Sequence, residues 1–225
     1  MLFRFRRFAK TSYSQSGEDL IVRFVMKALG VAGPISYLDI GAHHPAKMNN
    51  TYAFYLQGHR GVCIEPNPVF FREIKRHRRR DVCLNVGVGP ETQDRCEFYV
   101  LTHSRLSTFS KDEAERVCAL GKDRIEDVIT LPVIGINDVM ARHLSHGPQF
   151  VSIDVEGMDE AIISAFDFRR WRPEVFCVET AHYRRGGSEV KNQAIVDMML
   201  GNAYMVYADT YNNTIFVDET QWLAR

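Results

Sequence analysis

The sequence predicts an α/β fold: a mostly parallel sheet with helices on both faces, ending in an antiparallel hairpin. Three observations predict it. Short, continuously apolar runs of strand length recur along the chain. Segments with apolar residues at helical spacing separate them. The C-terminal region then breaks this rhythm with two apolar runs back to back around a turn. Strands apolar throughout are buried on both faces, and their alternation with helices makes βαβ units.

The first run, SYLDIG (36–41), is short and ends in glycine; RGVCIEP (60–66), VCLNVGVG (82–89), FVSIDVEG (150–157) and EVFCVET (174–180) follow. Between them the spacing predicts helices over 51–57, 69–77, 137–144, 158–166 and 189–200. Pro68 suits a first helical turn and Asn137 an N-cap. Two more strand candidates, CEFYVL (96–101) and DVITLPVI (127–134), flank a polar helical stretch over 111–120. Pro132 assigns the second of them to an edge or an irregular strand. At the end, YMVYAD (204–209) and TIFVDE (214–219) flank TYNN, whose Asn212 and Asn213 tolerate the positive φ of a tight turn. No repeat, low-complexity stretch or linker interrupts the chain.

The 225 residues are 45% hydrophobic and 25% charged, which suits one core and a single domain over 1–225. We divide it into an N-terminal segment and helix over 1–30 and a sheet core over 35–219. Lys+Arg and Asp+Glu each number 28, so no general attraction to nucleic acid or an acidic membrane is expected. Two basic clusters, Arg4, Arg6, Arg7 and Lys10, then Lys75, Arg76, Arg78, Arg79 and Arg80, read as solvated faces or helix ends. Five widely spaced cysteines without a Cys-x-x-Cys pair argue against a disulfide framework and for a reducing, cytoplasmic setting. The N-terminus lacks the apolar region of a secretion signal, and no apolar run is long enough to span a membrane.

In an open α/β sheet, ligands bind beyond the carboxyl ends of the strands. To that edge the runs deliver Asp39, Gly41, His43 and His44; Glu65 and Asn67; Asn85, Gly87 and Gly89; Asp154 and Glu156; Glu179 and His182. Asp39 and Gly41 followed by Glu65 on the next strand suggest a nucleotide pocket. The glycine lets backbone approach a ligand, and the glutamate can accept both hydroxyls of a ribose. The loop carries one glycine and no lysine, so it is a poor pyrophosphate cradle. A nucleoside without pyrophosphate fits better, and S-adenosylmethionine is the common one.

YSQSGEDLIV (13–22), YLDIGAHHP (37–45), NNTYAFY (49–55), GVCIEPNP (61–68), NVGVG (85–89), SIDVEGMDEAII (152–163) and NTIFVDE (213–219) together resemble, in that order, FkbM-type S-adenosylmethionine-dependent methyltransferases. The resemblance implies a Rossmann-like class I methyltransferase sheet of seven strands. It also implies O-methylation, often of a hydroxyl on a sugar, glycan or natural product. It assigns Gly41 and its loop, with His43, to the methionine part of the cofactor, Asp39 to holding that loop, Glu65 to the ribose with Asn67 assisting, and Asn85 and Val86 to adenine. Asn49, Asn50 and Thr51 either cap a helix or bind the cofactor carboxylate. His43 departs from the family, which usually has asparagine there. The chain also ends soon after its last strand, leaving little room for a substrate-specificity extension.

The acceptor side offers Asp154, Glu156 and His182 as bases. Asp154 and Glu156 share a strand face, so each can raise the other's pKa. Asp154, Glu179 and His182 could instead hold a divalent ion, Mg or Mn. SYSQSGED reads either as a capping box or as a segment in which Gln15, Glu18 and Asp19 close over the site. Tyr52, Tyr55, Tyr183 and Tyr211 could stack on a ligand or pack. The expected partner is a small-molecule or glycan acceptor, and a homodimer is left open. A nicotinamide-dependent oxidoreductase and a catalytically silent binding module are the rival readings.

Overall fold

The computed structural model describes the backbone of residues 9–121, 123–183 and 189–225, and their side chains except at 182, 183, 189 and 190. In chain order the elements are α1 (Glu18–Ala28), β1 (Ser36–Ile40), α2 (Tyr52–Leu56), β2 (Arg60–Ile64), α3 (Pro68–His77), β3 (Val82–Leu84), β4 (Gly87–Gly89), β5 (Gln93–Leu101), α4 (Lys111–Ala119), β6 (Ile125–Gly135), α5 (Ile136–His143), β7 (Phe150–Ile153), α6 (Asp159–Ala165), β8 (Val175–Glu179), β9 (Ala181–Tyr183), β10 (Glu189–Lys191), α7 (Gln193–Gly201), β11 (Tyr204–Asp209), β12 (Asn213–Asp218) and α8 (Glu219–Ala224).

Seven strands form the main sheet in the order β11-β12-β8-β7-β1-β2-β3. All are parallel except β12, which runs antiparallel to both β8 and β11. From β1 the chain builds outward to β2 and β3, then crosses back to β7 and β8. The order therefore reverses between β1 and β7, and a crevice opens there beyond the strand ends. Side chains alternate between two cores. Leu38, Ile40, Ile64, Val151, Ile153 and Phe176 face one side, and Tyr37, Cys63, Phe150, Val175, Cys177 and Ile215 face the other. This is the two-sided burial that the continuous apolar runs predict. Among the described residues, no helix is long and apolar enough to cross a membrane.

The structure corrects several sequence expectations. The run 82–89 is two strands, because the chain leaves the main sheet after Leu84 and enters a second, three-stranded sheet at Gly87. Asn85 turns it, donating from Nδ2 to the carbonyls of Glu65 and Pro66, each at 2.8 Å. Gly87 leaves room for the Phe109 ring where the chain re-enters, since a Cβ there would lie 2.5 Å from it. Of the two alternatives for Pro132, the structure shows the irregular strand and not the edge: β6 is the middle strand of this sheet, between β4 and β5. It is tolerated because the register with β5 slips opposite it, between Gln93 and Cys96, so the missing N–H falls at a bulge. Asn137 does not cap α5. α5 starts one residue earlier, and the Asn137 amide instead donates to Ala165 O and accepts from Asp167 N. The helix expected from 189 begins at Gln193, capped by Asn192, because 189–191 pair with β9.

Arg78 is the largest correction. It falls in a basic run read as a solvated face or a helix end; it does stand at the C-cap of α3, yet it is fully buried. Nε donates to Asp81 at 2.8 Å, Nη1 to Asn49 Oδ1 at 3.1 Å, and Nη2 to Thr51 Oγ1 at 2.8 Å and Tyr37 OH at 3.0 Å. Asp39 lies 3.6 Å from Nη1. Its neighbours Lys75, Arg76 and Arg79 are exposed as expected, while Arg4, Arg6 and Arg7 lie outside the described residues.

Removing a buried cation strands its carboxylates. Arg78→Met is expected to cost about 3–5 kcal/mol in urea unfolding. Arg79→Met, one residue on and exposed, should stay within about 0.5 kcal/mol of wild type. Equal effects of the two would refute the buried network.

Candidate active site

The crevice is a cleft of about 1060 Å³, including its open mouth. Its floor is the β1 loop. Gly41 has φ +79°, and a Cβ there would stand 1.8 Å from the carbonyl oxygen of Asp154, so only glycine lets β1 and β7 close together at their ends. The amides of Gly41 and Ala42 both donate to Ile64 O, at 3.0 and 3.1 Å, which ties the loop to the end of β2.

Glu65 stands where β2 ends. Its carboxylate accepts from His43 N at 2.7 Å and from Asn67 N at 2.8 Å, and it lines the cleft. Burial, then the nearby charges of Asp39 and Asp154, outweigh these bonds and push its pKa up to about 7. Asn67 also caps α3, accepting from Val69 N at 3.0 Å. Val86 lines an apolar wall with Phe98, Leu106 and Phe109. His43 packs on Phe70 at 3.9 Å between centroids, and its Nε2 lies 3.3 Å from Ser104 Oγ. Burial, with Arg105 beside it, pushes the imidazole down to about 4, so it is neutral at neutral pH.

Asp39, Asn50 and Thr51 are not in the cleft but beneath it. Asp39 accepts from Thr51 Oγ1 at 2.6 Å and from Asn49 Nδ2 at 3.0 Å. Asn50 donates to Ser152 Oγ at 3.0 Å. Asn49 makes the caps, accepting from Thr51 N and Tyr52 N, and it donates to Ala42 O at 3.0 Å. These residues meet the loop from below.

The other wall is acidic. Asp154, Glu156 and Glu179 each bring a carboxylate oxygen within 4.8 Å of the others. Burial, with the charges of Asp159 and Asp39, pushes Asp154 up to about 7, while burial and the charges of Asp154 and Asp159 lift Glu156 and Glu179 well above the carboxylate range. A hydrogen bond joins Asp154 and Glu179. Glu156 sits at φ +52°, a left-handed conformation costly for a residue with a Cβ. His182 lies in β9, immediately beyond this wall, with its side chain outside the described residues.

Of the N-terminal motif, only Gln15 reaches the cleft, where Asn212 also lines it. Asp19 accepts from Ser12 Oγ, Tyr13 N and Ser14 Oγ, at 2.6, 2.8 and 3.0 Å. Glu18 accepts from Thr210 and Asn213, pinning α1 to the terminal hairpin. Tyr52 packs on Tyr13 and Tyr55 on Arg80, while Tyr211 is exposed and the Tyr183 side chain is outside the described residues. Sequence reasoning missed the roof: Ser104, Arg105 and Ser107, between β5 and α4, line the cleft. Their one signal was position, in a polar stretch after a strand.

A Rossmann-like sheet, an acid ending its second strand and a loop with one glycine define a nucleoside-cofactor enzyme without a pyrophosphate cradle. The chain belongs to the FkbM methyltransferase domain family, which matches residues 39–206, and it is an S-adenosylmethionine-dependent methyltransferase. This sets aside the oxidoreductase and the silent module. Similar solved structures include precorrin-6y C5,15-methyltransferase from Geobacter metallireducens, 14% identical over 88% of this chain and 86% of that one, with a TM-score of 0.42. A TehB-like methyltransferase from Corynebacterium glutamicum is 8% identical over 96% and 94%, with a TM-score of 0.43. Magnesium protoporphyrin IX methyltransferase from Synechocystis is 11% identical over 96% and 88%, with a TM-score of 0.36. No curated protein matches the chain significantly.

The raised carboxyls set a pH dependence. Unfolded, Glu65 titrates near 4.5 and Asp154 near 3.8; folded, both hold their protons to about 7. The native state binds more protons across that window, so stability is expected to fall as pH rises through it. Tm measured without ligand should decline accordingly, and Glu65→Gln should lessen the decline. A Tm that climbs across the window contradicts the assignment.

Proposed function

We propose that the chain is an O-methyltransferase acting on a hydroxyl of a sugar, glycan or natural product. The observation that carries this reading is the placement of Asp154 in the wall of the cleft, beside Glu156 and Glu179, where burial raises its pKa toward neutrality. A base for a hydroxyl works best with a pKa near the working pH.

The residues fit the cofactor. Glu65, with both oxygens steadied by backbone amides, faces the cleft and suits a ribose diol. Val86 and the aromatic wall suit adenine, with Asn85 setting the turn that presents them. Gly41 and His43 would border the methionine part. Asp39, Asn50 and Thr51 support that loop from below rather than touching the ligand. When bound, S-adenosylmethionine supplies an electrophilic methyl group on a sulfonium. Asp154, ionised in part near neutral pH, accepts the acceptor's proton. Glu156 and Glu179 keep their protons and orient the hydroxyl. His182 stands as a second candidate base from the neighbouring strand.

One observation favours a metal-assisted variant: the ligand oxygens of Asp154, Glu156 and Glu179 are within 4.8 Å of one another. Mg or Mn bound there would displace their protons and lower the hydroxyl's pKa. This set shares Asp154 and Glu179 with the one expected from the sequence and adds Glu156. The free cysteines fit a cytoplasmic setting.

The test is transfer of labelled methyl to sugar, glycan and small-molecule hydroxyl acceptors, with and without Mg or Mn. Asp154→Asn should lower kcat by about 10²–10⁴-fold while leaving S-adenosylhomocysteine affinity intact. A fully active Asp154→Asn enzyme would remove Asp154 as the base. Methyl found on nitrogen or carbon alone would end the O-methyl reading.

A further inference from the structure

Resting on that reading and extending it, we propose that the acceptor carries an anionic group, a carboxylate or phosphate near the methylated hydroxyl, and that Arg105 is its receptor. Among the described residues lining the cleft, Arg105 is the one permanent cation. It sits on a short turn, Ser104–Leu106, in the roof. Its hydrogen bond there is to a thioether, Nη1 to Met48 Sδ at 3.0 Å. Sulfur is a weak acceptor, while a guanidinium presents five N–H groups in a fork shaped for carboxylate or phosphate. Asp154 and Glu156 feel its charge, yet no ion pair holds it among the described residues.

The surroundings fit the same ligand. Ser104 and Ser107 add hydroxyl donors on the same turn, and Gln15 and Asn212 bring amides to the cleft. His43, the other basic residue lining the cleft, is held neutral by burial and does not compete for an anion. Arg105 is also exposed at the mouth, whereas Glu65 is buried. That location suits the molecule that enters last and leaves first. An acidic wall takes the reacting hydroxyl, and the roof's guanidinium takes the acceptor's charge.

The experiment titrates the S-adenosylhomocysteine complex of wild type and Arg105→Gln with glucuronate, glucose 6-phosphate and glucose. Affinity is read by calorimetry, and the Arg105 Nε–H signal is followed by NMR. Wild type should bind an anionic sugar about tenfold more tightly than glucose, with a saturable shift of that signal. The preference should vanish in Arg105→Gln while S-adenosylhomocysteine affinity stays within about twofold. Preference for glucuronate alone assigns a carboxylate, and for glucose 6-phosphate alone a phosphate. Equal affinities for all three sugars, or none for any, overturn the proposal. Loss of S-adenosylhomocysteine affinity in Arg105→Gln also overturns it, giving the guanidinium to the cofactor carboxylate. Failure of folded wild type to bind S-adenosylhomocysteine is a separate result: it sinks the underlying cofactor reading, and the proposal with it.

Discussion

The guanidinium of Arg78 is fully buried just past the end of α3, and the cleft depends on what it holds. A cation out of water is tolerable only when its donors are met and its charge is balanced. Here Asp81 and Asp39 balance it, and Tyr37, Asn49 and Thr51 complete its bonds. The partners come from β1, from the loop after β1 and from the approach to β3. Asn49 passes the constraint upward: it accepts from Arg78 and donates to the carbonyl of Ala42, beside Gly41 in the cleft floor. The next amide, His43 N, then meets Glu65. A surface-looking basic run thus supplies the post on which the cofactor loop rests.

Above that post the chain accepts instability. Glu65, Asp154, Glu156 and Glu179 are carboxyls held where burial raises their pKa. Each would be better solvated at the surface. Gly41 brings β1 against the end of β7, which crowds Asp154 toward the loop, and the left-handed turn at Glu156 adds backbone strain. The apolar cores on both faces of the sheet offset these costs. Packing and exposure therefore part along β7, whose Phe150, Val151 and Ile153 are buried in the core and whose following residue, Asp154, lines the cleft.

Much of this was legible in the sequence, for a physical reason. Parallel strands buried on both faces must be continuously apolar, so SYLDI, GVCI and FVSI announce themselves, as do the acids at their ends. The FkbM motifs supplied the cofactor and the strand count. What stayed hidden depends on partners distant in sequence. Arg78 looks like its neighbours until Asp39 and Tyr37 arrive from β1. Asn85 looks like part of a strand until the carbonyls of Glu65 and Pro66 draw it into a turn. Pro132 announces an edge or an irregular strand, and only the register slip in β5, which leaves its missing N–H unneeded, decides between them. Arg105 sits in a polar stretch that only the second sheet carries over the cleft.

The central claim is that Glu65 anchors the ribose of an S-adenosyl cofactor at the end of β2. The direct measurement is calorimetric titration of wild type and Glu65→Ala with S-adenosylhomocysteine across neutral pH. An ionised carboxylate accepts both hydroxyls, so wild-type affinity should strengthen as pH rises through about 7, and the variant should lose binding. A folded wild type that binds nothing, or a variant that binds as tightly with the same pH profile, would contradict the account.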